Sequence, residues 1–500
     1  MKRFTATLLA GLMIISLIAC SAGTGGGGNG GNETSAAQSG DQETVAETVE
    51  LTNDQKLKNT LNDLPAADYD GYEFVFLDRG VSGGRLSDWD TIDIYSSEMN
   101  GDPINDAVFE RNSYVGEKYN VTISERKVSD PVAQARKLIL ANEDSFDVVT
   151  DGISQLAKTL AGEKLIIDYN EIPNVQLEKE WWDQSIKKGL SIMRKLYYAT
   201  GDISIMDNYG TWCFMFNKGI ITDHSLDDPY KMVNNGTWTL DTMYSMAKTA
   251  PQDIDGDGVM GEWDRYGFLS EQFNTYGLWL GSGEKTITKD ANDMPTLTVY
   301  NDRSARVIDK VMEIQLDKTV TMAGERHRGG MVDGINKMYE QGLALFIFGG
   351  MWLISKYRSS EVDFGILPTP KFTEDQENYY NTYSYGNCTM LSVPVTASDI
   401  SRTGMLLEAF AAISKYTLTP AYMEISLKGK FLRDNESEGM IELILDNRNY
   451  DLGALYDWGT CMSSFMTMYL SGKNDFASRF AALEEKTLAA IDKYIALISE

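Results

Sequence analysis

The stretch that decides the fold runs from position 72 to 150 and reads YEFVFL at 72–77, VTISER at 121–126 and FDVVT at 146–150. Two stretches with helical periodicity, Asn105 to Tyr119 and Pro131 to Ala141, separate these apolar segments. The pattern predicts three short strands joined by two helices. Strands that alternate with helices pair in a mostly parallel sheet through right-handed crossovers. The sequence therefore predicts an α/β fold with ligand sites at the carboxyl ends of its strands.

A second set of strands and helices follows in the middle of the chain. Strands are predicted within 197–217 and at 343–348, and helices at 238–249, 304–316 and 334–341. Two glycines interrupt the apolar run that begins at 343, so this run predicts a strand, a turn and a helix start. With 500 residues, the chain is long enough for two or three domains.

The amino terminus has the pattern of an export signal. Lys2 and Arg3 precede an apolar run from Phe4 to Ile18, which is shorter than the about 20 residues that a membrane-spanning helix needs. The run ends in LIAC at 17–20, which resembles the bacterial lipobox, in which the cysteine is diacylated after cleavage. We therefore expect a signal peptide at 1–19 and an anchor of palmitate-like acyl chains on Cys20. An ordinary secretory signal with a chance cysteine is the alternative.

Residues 20–65 are predicted to be a flexible tether. Positions 21–40 are rich in Gly, Ser, Asn and Thr and cannot bury a core, and positions 41–50 read DQETVAETVE, whose like charges extend the chain. The tether would hold the folded part away from the cell membrane, on its extracytoplasmic face. The folded part is expected to begin between Leu51 and Tyr72.

The charge balance excludes nucleic acid as a partner. The chain has 45 Lys and Arg against 73 Asp and Glu, a formal net charge of −28, and it contains no long basic run. Proteins that bind DNA or RNA need a basic face that displaces counterions from the phosphates. Net charge does not determine the sign of a buried pocket, so it does not identify the ligand.

Apart from Cys20, the cysteines are Cys213, Cys388 and Cys461. Each lies in an apolar segment, so small buried core residues are the expected role. A folded part of this size needs no disulfide for its stability, and an odd number of cysteines allows at most one disulfide, whose presence the sequence leaves open.

Several short segments resemble, in order, the landmarks of bacterial extracellular solute-binding proteins, the carbohydrate-type, family 1-like lipoproteins that serve ABC importers. The segments are FDVV at 146–149 with GEKL at 162–165, YYA at 197–199 leading to FNK at 216–218, GTWT at 236–239, GLALF at 342–346 running into GGMW at 349–352, and FGILPTP at 364–370. Each segment alone is weak evidence, and their shared order carries the resemblance. It covers the chain from near Tyr72 to the carboxyl terminus.

The resemblance implies a two-lobed periplasmic-binding-protein-like fold of type II, in which each lobe is a mostly parallel sheet flanked by helices. On that template the first lobe is 66–204 plus 348–390, and the second is 205–347 plus 391–500. Closure of the lobes about a hinge would trap the ligand, and permease subunits of an ABC transporter would recognise the closed form. The implied protein is a monomer that captures and delivers a solute and is not an enzyme.

The ligand is expected to be a carbohydrate, and an oligosaccharide because aromatic residues are abundant, with 9 Trp, 26 Tyr and 18 Phe. Sugar sites combine flat aromatic rings, which stack on the C–H faces of the sugar, with polar side chains that bond its hydroxyls. Most aromatic residues nonetheless belong to the core. The candidates are the residues that the family's segments would place toward the cleft: Asp151, Tyr209, Trp212, Gln272, Phe273, Tyr276, Trp279, Trp352, Tyr385, Asn387 and Trp458.

The segment DIDGDGVMGEWD at 253–264 has the pattern of a calcium-binding loop. Asp253, Asp255 and Asp257 occupy positions one, three and five, a glycine permits the sharp turn at position six, and Val259 at seven would bind through its carbonyl oxygen. Asp264 at position twelve replaces the usual Glu. We expect a structural calcium ion in the second lobe, and a solvated acidic turn is the alternative.

Other functions remain open from the sequence. A surface glycoside hydrolase would need two carboxylates at catalytic separation, which a sequence cannot place in space, and the order of the family segments favours a binding protein instead. A binding protein that hands its ligand to a sensor kinase is a third possibility. A peptide or a polyamine could replace the sugar if the cleft were acidic throughout.

Overall fold

The structure is a computed structural model that describes residues 51–80, 90–357, 360–427 and 435–499. The predicted signal peptide, Cys20 and the tether as far as residue 50 lie outside the described residues. Within the described ranges, no helix combines the length and the hydropathy that crossing a membrane requires.

The described strands form two larger sheets and a hairpin. The first sheet has the order β11-β3-β1-β2, the second has the order β10-β4-β9-β5-β8, and β6 pairs with β7. In chain order the strands are β1 Tyr72–Arg79, β2 Val121–Val128, β3 Val148–Gly152, β4 Trp212–Asn217, β5 Tyr266–Ser270, β6 Ile287–Lys289, β7 Pro295–Leu297, β8 Thr321–Ala323, β9 Ala344–Gly350, β10 Phe364–Leu367 and β11 Thr389–Ser392.

The described α-helices pack against the sheets and against one another. A π-helical turn, Leu156–Leu160, follows the fourth helix without a break. In chain order the helices are α1 Asn53–Asp63, α2 Pro103–Tyr119, α3 Pro131–Leu140, α4 Ile153–Gln155, α5 Gln184–Leu190, α6 Met206–Gly210, α7 Lys218–Asp223, α8 Pro229–Asn234, α9 Leu240–Ala247, α10 Gln272–Gly281, α11 Asp302–Leu316, α12 Met331–Glu340, α13 Trp352–Tyr357, α14 Ile400–Ser414, α15 Leu418–Leu427, α16 Asn435–Asp446, α17 Leu452–Tyr456, α18 Cys461–Ser471 and α19 Phe476–Ser499.

The first sheet confirms the pattern of strands and helices predicted for positions 72–150. β1 lies parallel to β2 on one side and to β3 on the other, and α2 and α3 form the two crossovers. Each of these helices begins with an aspartate cap followed by a proline, Asp102-Pro103 and Asp130-Pro131. Proline suits the first helical position because the N–H that it lacks has no partner there in any helix.

Helix α1 corrects the predicted tether, which was expected to extend to residue 65. Thr52 and Gln55 form a capping box, in which the Thr52 N–H donates to Gln55 Oε1 at 2.8 Å and the Gln55 N–H donates to Thr52 Oγ1 at 3.3 Å. Leu57 is buried, and the helix packs against α14. The tether was inferred from the composition of positions 21–50, and that composition does not extend to the helical positions 53–63.

The second sheet is mixed, so the prediction of a mostly parallel sheet in each lobe is wrong for this sheet. β5 is parallel to β8 and β9, whereas β4 runs antiparallel to β9 and β10. The prediction that placed residues 348–390 in the first lobe is therefore wrong for β10. After α13 the chain turns back and adds β10 to the free edge of β4 before it crosses to the other sheet.

The segment after residue 389 also departs from the predicted division. β11 joins the first sheet beside β3, and α14 follows it and packs on α2. In α14, the Phe410 ring centroid lies 6.1 Å from that of Phe74 and 5.5 Å from that of Phe76, both on β1. Because α14 covers the first sheet, its predicted place in the second lobe is wrong. The remaining limits of the two lobes stay predictions.

Three chain segments cross between the two sheets and are hydrogen bonded to one another. The Trp212 N–H, at the start of β4, donates to the carbonyl of Thr382 at 2.8 Å, which joins the outgoing and returning segments. The Asn449 N–H donates to the carbonyl of Asn381 at 2.8 Å, which adds the third segment. The link between the lobes is therefore a small set of adjacent extended segments.

Arg448 connects this crossover region to its surroundings. Its guanidinium lies 2.8 Å from Asp207 Oδ2 and 3.0 Å from Asp183 Oδ2, and the Arg448 side chain is 10% exposed. Burial lowers the pKa of Arg448, but the two carboxylates outweigh burial and raise this pKa well above its ordinary value. The Tyr450 hydroxyl also donates to Asp183, at 2.8 Å. The crossover region is thus stabilised by a buried network of charges.

Cys213, Cys388 and Cys461 are buried and unpaired, as the prediction of small core residues requires. The described residues therefore contain no disulfide. Burial raises the pKa of Cys461 to about 12, which keeps its thiol protonated at neutral pH.

Candidate ligand-binding cleft

A cleft of about 420 Å³ lies beside the crossover segments. It lies at the carboxyl ends of β5 and β9, which are parallel and neighbouring strands, where ligand sites of α/β folds occur. Ligand pockets typically measure about 300–1,000 Å³. Aromatic rings and a few polar side chains line it, among them Trp212, Glu271, Phe273, Tyr276, Asp333, Asn336, Phe348, Trp352, Lys356, Thr382, Tyr383, Ser384, Tyr385 and Asn387.

Trp212 and Phe273 are partly exposed in the cleft. Trp212 is the first residue of β4, and its ring meets Phe348 edge-on with the centroids 5.2 Å apart. Gly277 on α10 makes room for both rings, because a Cβ atom there would lie 2.8 Å from the Phe348 ring and 3.1 Å from the Trp212 ring. Gly277 therefore determines how closely α10 approaches this aromatic wall.

Trp352 is the first residue of α13 and follows the predicted glycine turn. A Cβ atom on Gly350 would lie 2.5 Å from the Trp352 ring, so glycine at this position lets the ring lie over the turn. Lys356, one helical turn later, places its ammonium 5.3 Å from the centroid of the same ring. The cleft therefore has an aromatic face with a positive charge beside it.

Tyr276 and Tyr385, two of the predicted ligand-binding residues, are buried and line the cleft. Their hydroxyl groups are already engaged. Tyr276 donates to Asp451 Oδ2 at 2.8 Å, and the Tyr385 oxygen accepts from the Asp451 N–H at 3.0 Å. Their rings, rather than their hydroxyls, are what a ligand would meet. Asn387 also lines the cleft and is partly exposed.

Glu271 is a lining residue that the sequence analysis missed. It caps α10, and its carboxylate accepts the Phe273 N–H at 3.1 Å. Burial raises the pKa of Glu271 to about 8; the Phe273 N–H opposes this shift, and the charge of Glu325 adds to it. Glu271 directly follows strand β5, so the expectation of ligand sites at the carboxyl ends of the strands could have found it.

Asp333, Asn336, Lys356 and Ser384 are further polar lining residues that the sequence did not reveal. They come from α12, α13 and the segment before β11, which meet only in the folded chain. Asn336 is positioned by the Tyr357 hydroxyl, which donates to its Oδ1 at 2.7 Å. No local motif marks these residues.

Asp151 lies next to the cleft but does not line it. It is buried at the end of β3, where Arg79 forms an ion pair with it. Arg79 also donates to the carbonyl of Gly386, a lining residue, at 3.4 Å. Burial raises the pKa of Asp151, and Arg79 opposes the shift. Asp151 therefore acts on the cleft wall through Arg79.

Tyr209 and Gln272 also lie near the cleft without lining it. The Tyr209 ring packs against Tyr422 with the centroids 5.7 Å apart. The Gln272 N–H donates to Glu325 Oε1 at 2.7 Å at the start of α10. Next to Gln272 along the chain, Glu271 and Phe273 line the cleft, whereas the lining residue that follows Tyr209 is Trp212, three positions later.

Trp279 and Trp458 are core residues, and the prediction that they face the ligand is wrong for both. Trp279 is fully buried and packs on Phe465 of α18, with the ring centroids 4.8 Å apart. Trp458 is stacked on Tyr456 at 4.5 Å with an interplanar angle of 5°. Helix α10 is buried on nearly all sides, polar residues included, so its sequence does not indicate which face meets the cleft.

The loop 253–264 closes on itself between α9 and β5, and Gln252 and Arg265 exchange two backbone hydrogen bonds of 3.0 Å at its base. Asp253, Asp255 and Asp257 are exposed, and their carboxylates converge so that the possible ligand atoms lie within 4.8 Å of one another. These three carboxylates fit the first positions of a calcium loop.

The other two predicted ligands of the loop are arranged differently. Asp264 is buried, and its two oxygens accept the N–H groups of Ile254 at 2.8 Å and Gly261 at 2.6 Å. A carboxylate oxygen has more than one lone pair, so Asp264 could bind a metal and keep these bonds. The Val259 N–H donates to Asp257 Oδ1 at 2.7 Å, so a hydrogen bond links the seventh position of the loop to the fifth.

No family model matches this chain. Among curated proteins, the maltodextrin-binding protein MdxE of Bacillus subtilis (strain 168) is 24% identical over 145 residues. This match covers 26% of the chain and only 34% of the length of that protein.

Solved structures match much more of the chain. A cyclo/maltodextrin-binding protein complexed with maltotetraose has a TM-score of 0.54 at 13% identity and covers 86% of this chain and 98% of its own. RafE of Streptococcus pneumoniae has a TM-score of 0.53 at 12% identity and covers 85% of this chain and 99% of its own. An ABC substrate-binding protein of Listeria monocytogenes in complex with cycloalternan has a TM-score of 0.51 at 11% identity and covers 86% of this chain and 100% of its own.

These neighbours are binding proteins rather than enzymes. At such low identity they show the fold, and the predicted fold class is confirmed. The chain has the two-lobed α/β fold of solute-binding proteins.

Proposed function

We propose that this protein captures an oligosaccharide in the cleft and delivers it to the permease of an ABC importer. The observation that carries the proposal is the combination, in one cleft, of the partly exposed rings of Trp212, Phe273 and Trp352 with the polar side chains of Ser384 and Asn387. Aromatic rings stack on the C–H faces of sugars, and sugar hydroxyls need hydrogen-bond partners.

The fold supports the same proposal. Structural neighbours of this chain are complexed with maltotetraose and with cycloalternan, which are both oligosaccharides. In the proposal, the lobes close about the three crossover segments and bring the two sides of the cleft together around the sugar. Residues near the crossover, such as Trp212 and Ser384, would contact the ligand in both the open and the closed form.

We propose binding without catalysis. Among the lining residues, the carboxylates are those of Glu271 and Asp333. A glycosidase needs two carboxylates that are free to act as acid and as base or nucleophile. The Glu271 carboxylate instead caps α10 and is bonded to the Phe273 N–H. This arrangement suits a structural carboxyl better than a catalytic one.

Thermal unfolding of the full-length chain against a panel of oligosaccharides tests the proposal. Maltotetraose, cycloalternan, xylotetraose and chitotetraose cover different linkages and ring substituents, and a tripeptide and spermidine represent the other ligand classes. A ligand at a hundred times its dissociation constant adds about 2.7 kcal/mol to the stability. Stabilisation by one class of glycan, with the glycan recovered intact, supports the proposal. Stabilisation by the peptide or the polyamine alone, or release of shorter sugars, contradicts it.

We also propose that the loop 253–264 binds calcium as a structural ion of the second lobe. The convergence of Asp253, Asp255 and Asp257 supports this proposal. Calcium should raise the unfolding temperature of the full chain, and the chelator EGTA should lower it. Asp255→Asn should remove the calcium response, whereas Asp241→Asn, an exposed aspartate on α9, should retain it. An equal response in both variants would contradict the proposal.

A lipid anchor at Cys20, on the extracytoplasmic face of the membrane, completes the proposed function. The predicted signal peptide and the small residue Ala19 before Cys20 support it. Mass spectrometry of the expressed chain should find a diacylated amino-terminal cysteine. Cys20→Ser should release the protein from the membrane fraction. Retention of Cys20→Ser on the membrane, or an unmodified Cys20, would refute the anchor.

A further inference from the structure

A second concave surface, of about 680 Å³, lies outside the cleft. It is formed by the end of α5, the segment before β6 and the hairpin β6–β7. Lys187, Lys188, Lys285 and Lys289 all line it, and we call it the lysine groove. In a chain with a formal net charge of −28, this surface is unusual because its four lysines outnumber its carboxylates, Glu284, Asp290 and Asp293, by one.

The acidic residues of the lysine groove are already engaged. Glu284 pairs with Arg303, and Asp293 pairs with Lys289 at 2.6 Å. Asp290 closes a turn by accepting two backbone N–H groups, at 2.8 and 2.9 Å. Glu284 and Asp293 are therefore paired with cations, and Asp290 keeps the one lining charge that faces the other three lysines.

Lys285 is the most buried of the lysines that have no ion pair in this groove. It is only partly exposed, and its Nζ has no hydrogen bond or ion pair with another described residue. Burial lowers the pKa of Lys285, Asp451 raises it, and the charges of Lys289 and Lys188 lower it further. Asp451 cannot turn toward Lys285, because both of its oxygens are held, one of them by the Tyr276 hydroxyl at 2.8 Å.

We infer that the lysine groove binds an oxyanion, a phosphate group, through Lys285 and Lys188, with the exposed Thr288 as a neutral donor. An ammonium that is partly withdrawn from water and lies near two like charges gains more from an anionic partner than a fully solvated one does. Hydrogen bonds between an ammonium and phosphate oxygens are charge-assisted and strong. The site is separate from the cleft and does not depend on the sugar proposal.

Calorimetric titration of the full-length chain with inorganic phosphate, and separately with polyphosphate, tests the inference. The overall negative charge gives the protein no general affinity for anions, so saturable binding reports a local site. We expect one phosphate per chain, with an affinity that falls as salt is added. Lys285→Gln should weaken the affinity at least tenfold and Lys188→Gln severalfold.

Lys231→Gln is the matched control. Lys231 lies on α8, outside the groove, with its side chain 79% exposed, so this variant also removes one positive charge but leaves the groove intact. Its affinity for phosphate should stay within twofold of the wild type. If Lys285→Gln does not fold, the exposed Lys188 carries the test. If polyphosphate binds much more tightly than inorganic phosphate, the groove binds phosphate groups on a polymer. If the two affinities are equal, the groove binds the free ion. No saturable binding of either, or equal weakening by Lys231→Gln, overturns the inference.

Discussion

Replacing Arg448 by methionine tests whether the buried charge network holds the crossover region together. Methionine keeps most of the side-chain volume and removes the charge. The variant leaves Asp207 and Asp183, which bond Arg448 at 2.8 and 3.0 Å, without their cation in a site where the arginine is only 10% exposed. Removing one partner of a buried ion pair costs about 3–5 kcal/mol, because the remaining charge stays buried.

The loss should depend on pH. Burial raises the pKa of Asp207 to about 7, and the charge of Arg448 lowers this pKa. In the variant the pKa of Asp207 therefore rises further, and the folded chain takes up a proton as the pH falls. Protonation removes the uncompensated charge, so the destabilisation should be smaller at pH 5 than at pH 8.

Urea unfolding, followed by both circular dichroism and tryptophan fluorescence, measures the loss. The matched control is Arg479→Met, which breaks a surface pair with Asp475 at 2.8 Å and should cost only about 0.3–0.5 kcal/mol. Asp207→Asn should restore part of the stability of Arg448→Met. A loss below about 1 kcal/mol at pH 8, or one equal to that of Arg479→Met, would refute the reasoning, since a buried network must be worth more than a surface pair.

Three other predictions follow from single residues. Glu271→Gln should stabilise the protein by roughly 1–3 kcal/mol at pH 9 and by nothing at pH 4. Between pH 4.5 and pH 8 the folded carboxyl, with a pKa of about 8, stays protonated while the unfolded carboxyl ionises, so the free-energy cost of burying Glu271 grows over this range. Equal urea midpoints of the variant and the wild type at pH 9 would contradict this. Leu57→Ala should cost about 2 kcal/mol if α1 belongs to the fold, and no change in urea midpoint would return α1 to the tether. Gly277→Ala should weaken sugar binding at least tenfold by displacing the Phe348 and Trp212 rings, whereas Gly439→Ala, at a position with open space, should not.

The first sheet could be predicted because its signals are local. Apolar runs, helical periodicity and the Asp-Pro caps at the starts of α2 and α3 are each contained in a few consecutive residues. The membership of β10 and α14 could not be predicted, because it depends on which free sheet edge or face the returning chain meets. The lobe boundaries carried over from the resemblance therefore failed at these two elements.

The cleft was predicted only in part for a similar reason. Trp212 and Trp279 both follow family landmarks, yet one ring is partly exposed in the cleft and the other is fully buried against α18. What separates them is the face of the element on which they lie, and an element that is buried on nearly all sides does not encode that face in its pattern. Glu271 differs from these residues, because its position directly after β5 is a local feature of the sequence that indicates a place at the cleft.

The central claim is that the cleft binds an oligosaccharide, and calorimetric titration with the best glycan of the panel tests it most directly. Wild type should bind one glycan per chain, and Trp212→Ala should weaken the affinity at least tenfold. Trp263→Ala, which removes a 62% exposed tryptophan outside the cleft, should leave the affinity unchanged. Equal affinities for all three proteins, or no heat of binding from any glycan, would contradict the account.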